Sequence, residues 1–140
     1  MSEPVTFVDT NVLVYAHDAS DPVKHRRATA FVGKLWADQA GVISTQVLAE
    51  LYSVLTRKVG LAPTAARRVV VLYATWPILQ IDMPLLAAAM LRNERDGVSW
   101  WDCVIVEAAI RAGAVRLASE DFASGQTFDG VLEVINPMAA

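Results

Sequence analysis

Val5-Thr6-Phe7-Val8-Asp9-Thr10-Asn11-Val12-Leu13-Val14 is the stretch on which the fold turns. Val5–Val8 reads as a short strand buried on both faces, and the apolar run resumes beyond a single acid. An unpaired carboxylate buried in such a run costs several kcal/mol, so it protonates, finds a partner or binds a metal. Asp9 also has an ordinary explanation, as the N-cap of a helix that follows the strand.

Working outward, the same alternation repeats. Val42–Ser44, Pro77–Ile81, Val115–Ala118 and Leu132–Ile135 read as further short strands, separated by longer helical patterns. Asp21-Pro22 opens a helix to about Ala40, with Gly41 ending it. Gln46–Lys58 ends at Gly60, Pro63–Thr75 repeats alanine and valine on a helical period, and Asp82 starts a helix to Arg95 before Asp96-Gly97. Ser99 opens a last long helix that runs to Gly113. Strands alternating with helices predict parallel β-α-β units, and hence an α/β fold: a three-layer α/β/α Rossmann-like sandwich with a mainly parallel central sheet. Ligands bind such sheets beyond the carboxyl ends of the strands, where strand order reverses. Asp9 and Asp121 each follow a predicted strand, so both are placed at that edge.

Two more acids interrupt apolar surroundings. Glu50 lies on the flank of a helix whose buried stripe is Val47, Leu48, Leu51, Val54 and Leu55, and Ser53 and Arg57 share that flank. A solvated helical glutamate is the plain alternative. Asp102 follows Trp100-Trp101 and completes Ser99-x-x-Asp102, a capping-box pattern. It nonetheless shares a face with Ile105, Val106 and Ala109, while Glu107 and Arg111 form an i,i+4 pair that marks the solvent side. Asp102 thus points inward at a helix N-terminus, where the macrodipole favours negative charge. Asp121 competes with its neighbour Glu120 for the fourth place, and either could be an ordinary turn residue. Taken together the acids demand more, because carboxylates about 4–5 Å apart repel by roughly 3–4 kcal/mol at an effective dielectric near 20. Clustered, they need shared protons or a cation. Hard oxygen donors without a cysteine or histidine pair suit Mg²⁺ or Mn²⁺ rather than zinc.

Bulk properties set the frame. The 140 residues suit one domain, 1–140, with a substantial core. Apolar residues make up 54% and mean hydropathy is +0.36, yet no run reaches the roughly 18 apolar residues of a membrane span. Such apolar content in a small chain instead points to a protein partner or a homodimer. Met1-Ser2-Glu3-Pro4 lacks a basic start, so no export signal is expected. Cys103 is the only cysteine, which rules out an internal disulfide and leaves a reduced, cytoplasmic setting as the default. A net charge of −3 gives no global attraction to nucleic acid, so any such substrate needs local cations and bound metal. Arg57, and beyond it Lys24, Arg26 and Arg27, are the candidate phosphate contacts, although a solvated helix face explains them as well. His17 and His25 lack metal-ligand spacing and read as surface residues.

The ordered set Asp9-Thr10-Asn11-Val12-Leu13-Val14-Tyr15-Ala16, Ser44-x5-Glu50, Trp101-Asp102-Cys103-x-Ile105-Val106-x-Ala108-Ala109 and Ser119-Glu120-Asp121-Phe122 resembles a PIN domain. The tail from Gly125 through Val131-Leu132-x-Val134-Ile135-Asn136-Pro137 looks like the closing strand of VapC-type toxins. The resemblance implies an endoribonuclease that uses a divalent metal, Mg²⁺ or Mn²⁺, to hydrolyse RNA. It implies an acidic pocket of Asp9, Glu50, Asp102 and Asp121, supported by Asn11 and Ser119. It further implies a homodimer and a cognate antitoxin whose peptide covers the groove. Glu120 beside Asp121 leaves the fourth acid open between the two.

Other readings compete. A small-molecule phosphohydrolase of the haloacid-dehalogenase type wants an aspartate two residues after the first, where Asn11 stands. A receiver-like phosphoacceptor domain wants a lysine near the last strands, and none lies beyond Lys58. A catalytically inactive PIN-like module that only binds RNA or protein is opposed by four intact acids.

Overall fold

The computed structural model describes residues 4–139, so the export-signal reading of residues 1–3 lies outside it. In chain order the elements are β1 (Thr6–Val8), α1 (Thr10–Ala16), α2 (Pro22–Asp38), β2 (Gly41–Ser44), α3 (Thr45–Arg57) and α4 (Pro63–Tyr73). They continue with β3 (Ile78–Leu79), α5 (Met83–Asp96), α6 (Trp100–Arg111), β4 (Arg116–Ala118), β5 (Thr127–Phe128) and β6 (Leu132–Ile135).

Local chemistry explains most of these boundaries. Asp21 caps α2 by accepting from Lys24 N at 3.2 Å, with Pro22 in the first turn, where a missing N–H costs nothing. Ser44 and Asp82 cap α3 and α5 in the same way. The sheet order is β3-β2-β1-β4-β6-β5, parallel throughout except for β5, which runs antiparallel to β6. Thr6, Phe7 and Val8 of the central strand are all fully buried. Successive strand side chains point to opposite faces, so helices must cover both. The α/β sandwich expected from the sequence is the fold observed.

Chain order runs outward from β1 to β2 and β3 on one side, then returns to place β4 on the other. The reversal lies between β1 and β4, where Val8 pairs with Ala118. Asp9 and Ser119, the next residues on each strand, therefore emerge side by side.

At several points the structure departs from the local sequence pattern. Gly41 does not end α2; Gln39 does, in the left-handed region at φ 51°. Gly41 instead begins β2, and a Cβ there would collide with the Trp76 ring, which packs against Trp36 and Tyr73. The strand β5 was not legible as a strand, although Asp129-Gly130, both at positive φ, form the hairpin turn that leads from it to β6. The solvent-side pair of Glu107 with Arg111 does not form. Glu107 accepts from Arg92 Nε at 2.9 Å, and Arg111 reaches Pro84 O at 3.4 Å. Arg92 is only 3% exposed, and its guanidinium also forks onto Asp129 at 3.2 and 2.7 Å, tying α5, α6 and the β5–β6 turn together. His17 and His25 are half-buried and bonded, His17 Nε2 lying 2.8 Å from Tyr73 Oη and His25 Nδ1 2.8 Å from Tyr15 O.

Candidate active site

Asp9 occupies the strand-to-helix junction and is 5% exposed. Its Oδ1 accepts from Thr10 N at 2.8 Å as the cap of α1, and its Oδ2 accepts from Ser119 Oγ at 2.8 Å. The cap explanation is thus correct but incomplete, because capping engages one oxygen and the neighbouring strand supplies a donor to the other. Burial pushes the Asp9 carboxyl up to about 7; the two hydrogen bonds pull against that, and the charges of Asp121 and Glu50 add to it.

Those two acids arrive from different elements. Glu50 projects from α3 toward α1, where its Oε2 accepts from Thr10 Oγ1 at 2.9 Å and its Oε1 from Gln46 Nε2 at 2.9 Å. It is therefore bonded on both oxygens rather than freely solvated. Asp121 follows β4 and accepts from Asn11 Nδ2 at 3.0 Å, while its backbone N–H donates to Ser119 Oγ at 3.0 Å. Asn11 also donates to Ser119 Oγ at 3.3 Å and accepts from Glu120 N at 3.3 Å. Ser119 is fully buried, so its hydroxyl is held by three neighbours: it donates to Asp9 and accepts from Asn11 and Asp121. Asn11 and Ser119 together lash the loop after β4 onto α1. Asp9, Glu50 and Asp121 line one open cavity of about 440 Å³.

Asp102 does not line that cavity. It is half-buried in the first turn of α6, and the Ser99 half of its capping box is missing, since Ser99 makes no side-chain cap bond. Its neighbours Trp101 and Val104 line a separate apolar groove that Glu50 also borders, so Glu50 stands between the acidic cavity and the start of α6. Among the described residues no three His, Cys, Asp or Glu side chains converge closely enough to hold one ion.

The PIN domain family model matches residues 6–123. The chain belongs to the PIN domain family. Its fold is similar to three solved structures. One is the Mycobacterium tuberculosis toxin VapC20, described as cleaving the sarcin-ricin loop, at 22% identity over 83% of this chain and 89% of that one, with a TM-score of 0.67. The second is a toxin–antitoxin complex from Klebsiella pneumoniae, at 17% identity over 94% and 97%, with a TM-score of 0.69. The third is VapBC2 from Rickettsia felis bound to a promoter DNA fragment, at 17% identity over 94% and 98%, with a TM-score of 0.62. No curated protein gave a significant match.

Within this PIN domain the two adjacent acids after β4 are used differently. Glu120 turns away from Asp9 and accepts from Tyr15 Oη and Lys24 Nζ, each at 3.0 Å. Asp121 instead shares Ser119 with Asp9 and accepts from Asn11. Among the cations, Lys58 rather than Arg57 lines the cavity; Arg57 is exposed, and Arg27 is bound to Met138 O at 3.0 Å. The contributions of Thr10, Tyr15 and Gln46 were not foreseen. A signal for the first two existed, because Thr10, Asn11, Val14 and Tyr15 fall on one face of α1 and all line the cavity.

The donor set fits a hard divalent cation. It consists of carboxylate, amide and hydroxyl oxygens, and Mg²⁺ commonly keeps several waters while using one or two carboxylates. A cation beside Asp9 would also offset the burial that holds this carboxyl near neutrality.

Proposed function

We propose that this PIN domain is a Mg²⁺- or Mn²⁺-dependent endoribonuclease, and the toxin of a type II toxin–antitoxin pair. The observation that carries the reading is the hydrogen-bond network at the sheet's switch point, which holds Asp9, Glu50 and Asp121 around one cavity. A buried carboxylate that shares one cavity with two others is poorly explained as structure alone and well explained as part of a cation site. The similarity in fold to toxins and toxin–antitoxin complexes supports the assignment of substrate class and of an antitoxin partner.

A divalent ion bound there would activate water and stabilise charge on the scissile phosphate. The protein's own work is positioning. Ser119 and Thr10 N fix both Asp9 oxygens, Thr10 Oγ1 and Gln46 orient Glu50, and Asn11 holds Asp121 to α1. Because these partners are themselves buried or helical, the carboxylates need little reorganisation when RNA arrives. The proposed acidic set extends to Asp102, in the first turn of α6 beside the groove that Glu50 also borders. The chain acts as a homodimer, and a cognate antitoxin peptide covers the groove.

Purified protein should cut a total RNA pool with Mg²⁺ or Mn²⁺ and not in EDTA, and Asp9→Asn should abolish cutting while remaining folded. Full activity in EDTA would overturn the reading. Co-purification with the product of a neighbouring reading frame, and its release on proteolysis, tests the antitoxin assignment.

A further inference from the structure

The cavity poses an electrostatic problem for the substrate proposed above. Its lining carries the acids Asp9, Asp18, Glu50, Glu120 and Asp121 against a single cation, Lys58. The chain as a whole is acidic, at −3. An RNA strand bears one negative charge per phosphate, so it approaches such a site only where cations stand at the rim.

A second cation stands there. Lys24, near the start of α2, places Nζ 3.0 Å from Glu120 Oε2, 3.3 Å from Tyr15 Oη and 4.9 Å from the centroid of the Tyr15 ring. Tyr15 Oη in turn donates to Glu120 Oε1 at 3.0 Å, closing a three-membered ring of bonds. Glu120 and Tyr15 both belong to the cavity wall. The Lys24 side chain is 38% exposed, and an exposed pair of this kind contributes little to stability. An ammonium has three donors, of which the ring uses two. The arrangement therefore holds a reachable cation at the mouth of an acidic cavity. The other Lys and Arg residues of α2 do not share this setting: Arg27 is spent on Met138 O, Lys34 pairs with Asp38, and Arg26 is exposed.

We infer that Lys24 binds a backbone phosphate of a single-stranded RNA next to the site of cleavage, and that Glu120 is its positioning residue rather than a metal ligand. This rests on the ribonuclease reading. It also accounts for the two acids after β4, one turned toward Asp9 and one toward the lysine.

The test uses full-length protein and a short mixed-sequence single-stranded RNA. Binding is measured against KCl concentration in Ca²⁺, and RNA integrity is checked on gels. Each phosphate contact contributes about 0.7 to the slope of log K against log salt for a single strand. Lys24→Gln should lower the slope by about that amount, so that a fourfold rise in salt narrows the gap from wild type on the order of threefold. Lys24→Arg should keep the wild-type slope. Arg26→Gln removes the same charge from the same helix away from the cavity and should leave the slope unchanged. An unchanged slope in Lys24→Gln, with wild type still binding, overturns the assignment of Lys24 alone. An equal drop in Arg26→Gln overturns it too, as a diffuse charge effect. Wild-type protein that neither binds nor cuts RNA with any divalent metal overturns the ribonuclease reading as well.

Discussion

Asp9→Asn should stabilise this protein at alkaline pH in the absence of metal, with an advantage over wild type that grows as pH rises from 5 to 8. Burial raises the Asp9 carboxyl from its ordinary 3.8 to about 7. At ~1.4 kcal/mol per tenfold change in proton affinity, the gap amounts to about 4 kcal/mol. The folded-state value lies above the unfolded one, so the favourable contribution is complete below about pH 4 and lost as pH climbs through 7. About 3 kcal/mol of the loss falls between pH 5 and pH 8, where the unfolded side chain is already ionised and the folded one is still giving up its proton. Asparagine escapes that cost but cannot accept from Ser119 Oγ with its NH₂ group, a penalty of about 1–3 kcal/mol that does not depend on pH. The variant should therefore be near wild type or slightly below it at pH 5, and more stable than wild type at pH 8. Urea unfolding in EDTA, followed by tryptophan fluorescence across this range, measures the difference. Saturating Mg²⁺ should then raise the wild-type midpoint and leave that of the variant unmoved. Parallel stability curves for the two proteins from pH 5 to pH 8 would refute the argument, because Asp9 would then not be paying for its burial.

Other substitutions probe the rest of the scaffold. Asp121→Asn should lower turnover at least ~10-fold, whereas Glu120→Gln should leave turnover close to wild type and alter RNA binding instead; equal losses would erase the distinction between the two acids. Arg92→Ala strands the largely buried Glu107 carboxylate beside an unfilled position, while the half-exposed Asp129 turns to water, and should cost about 3 kcal/mol in urea unfolding, with metal-dependent cleavage per folded molecule unchanged. Gly41→Ala drives a methyl into the Trp76 ring and should cost about 1–3 kcal/mol, with a change in tryptophan fluorescence; an unperturbed spectrum would mean that β2 and the aromatic cluster are not in contact.

Much of this architecture is legible in the chain because short apolar runs and capped, periodic helices are local signals. Val5–Val8, the Asp21-Pro22 cap and the Asp82 cap each carry their own instruction, and alternation of strand with helix leaves few topologies open. Signals that depend on a distant partner were lost. Nothing local marks Arg92 as buried before Glu107 and Asp129 close around it, and Gly41 reads as a helix stop until the Trp76 ring fills the space above it. The hairpin strand β5 is only two residues long, too short for any periodicity to show.

The acids divide along the same line. Sequence alone placed Asp9 and Asp121 at one sheet edge, because each follows a buried strand and parallel strands end together. Only the tertiary structure could show that Ser119 and Asn11 join these two acids, that Thr10 brings in Glu50 from α3, and that Lys24 and Tyr15 draw Glu120 the other way. Asp102 does not line that cavity, although its neighbours Trp101 and Val104 line the groove that Glu50 also borders, a placement no local pattern records. The reason is physical: a side chain's burial and charge state depend on whatever the fold brings within a few ångströms, and those neighbours here lie 40 to 110 residues away along the chain.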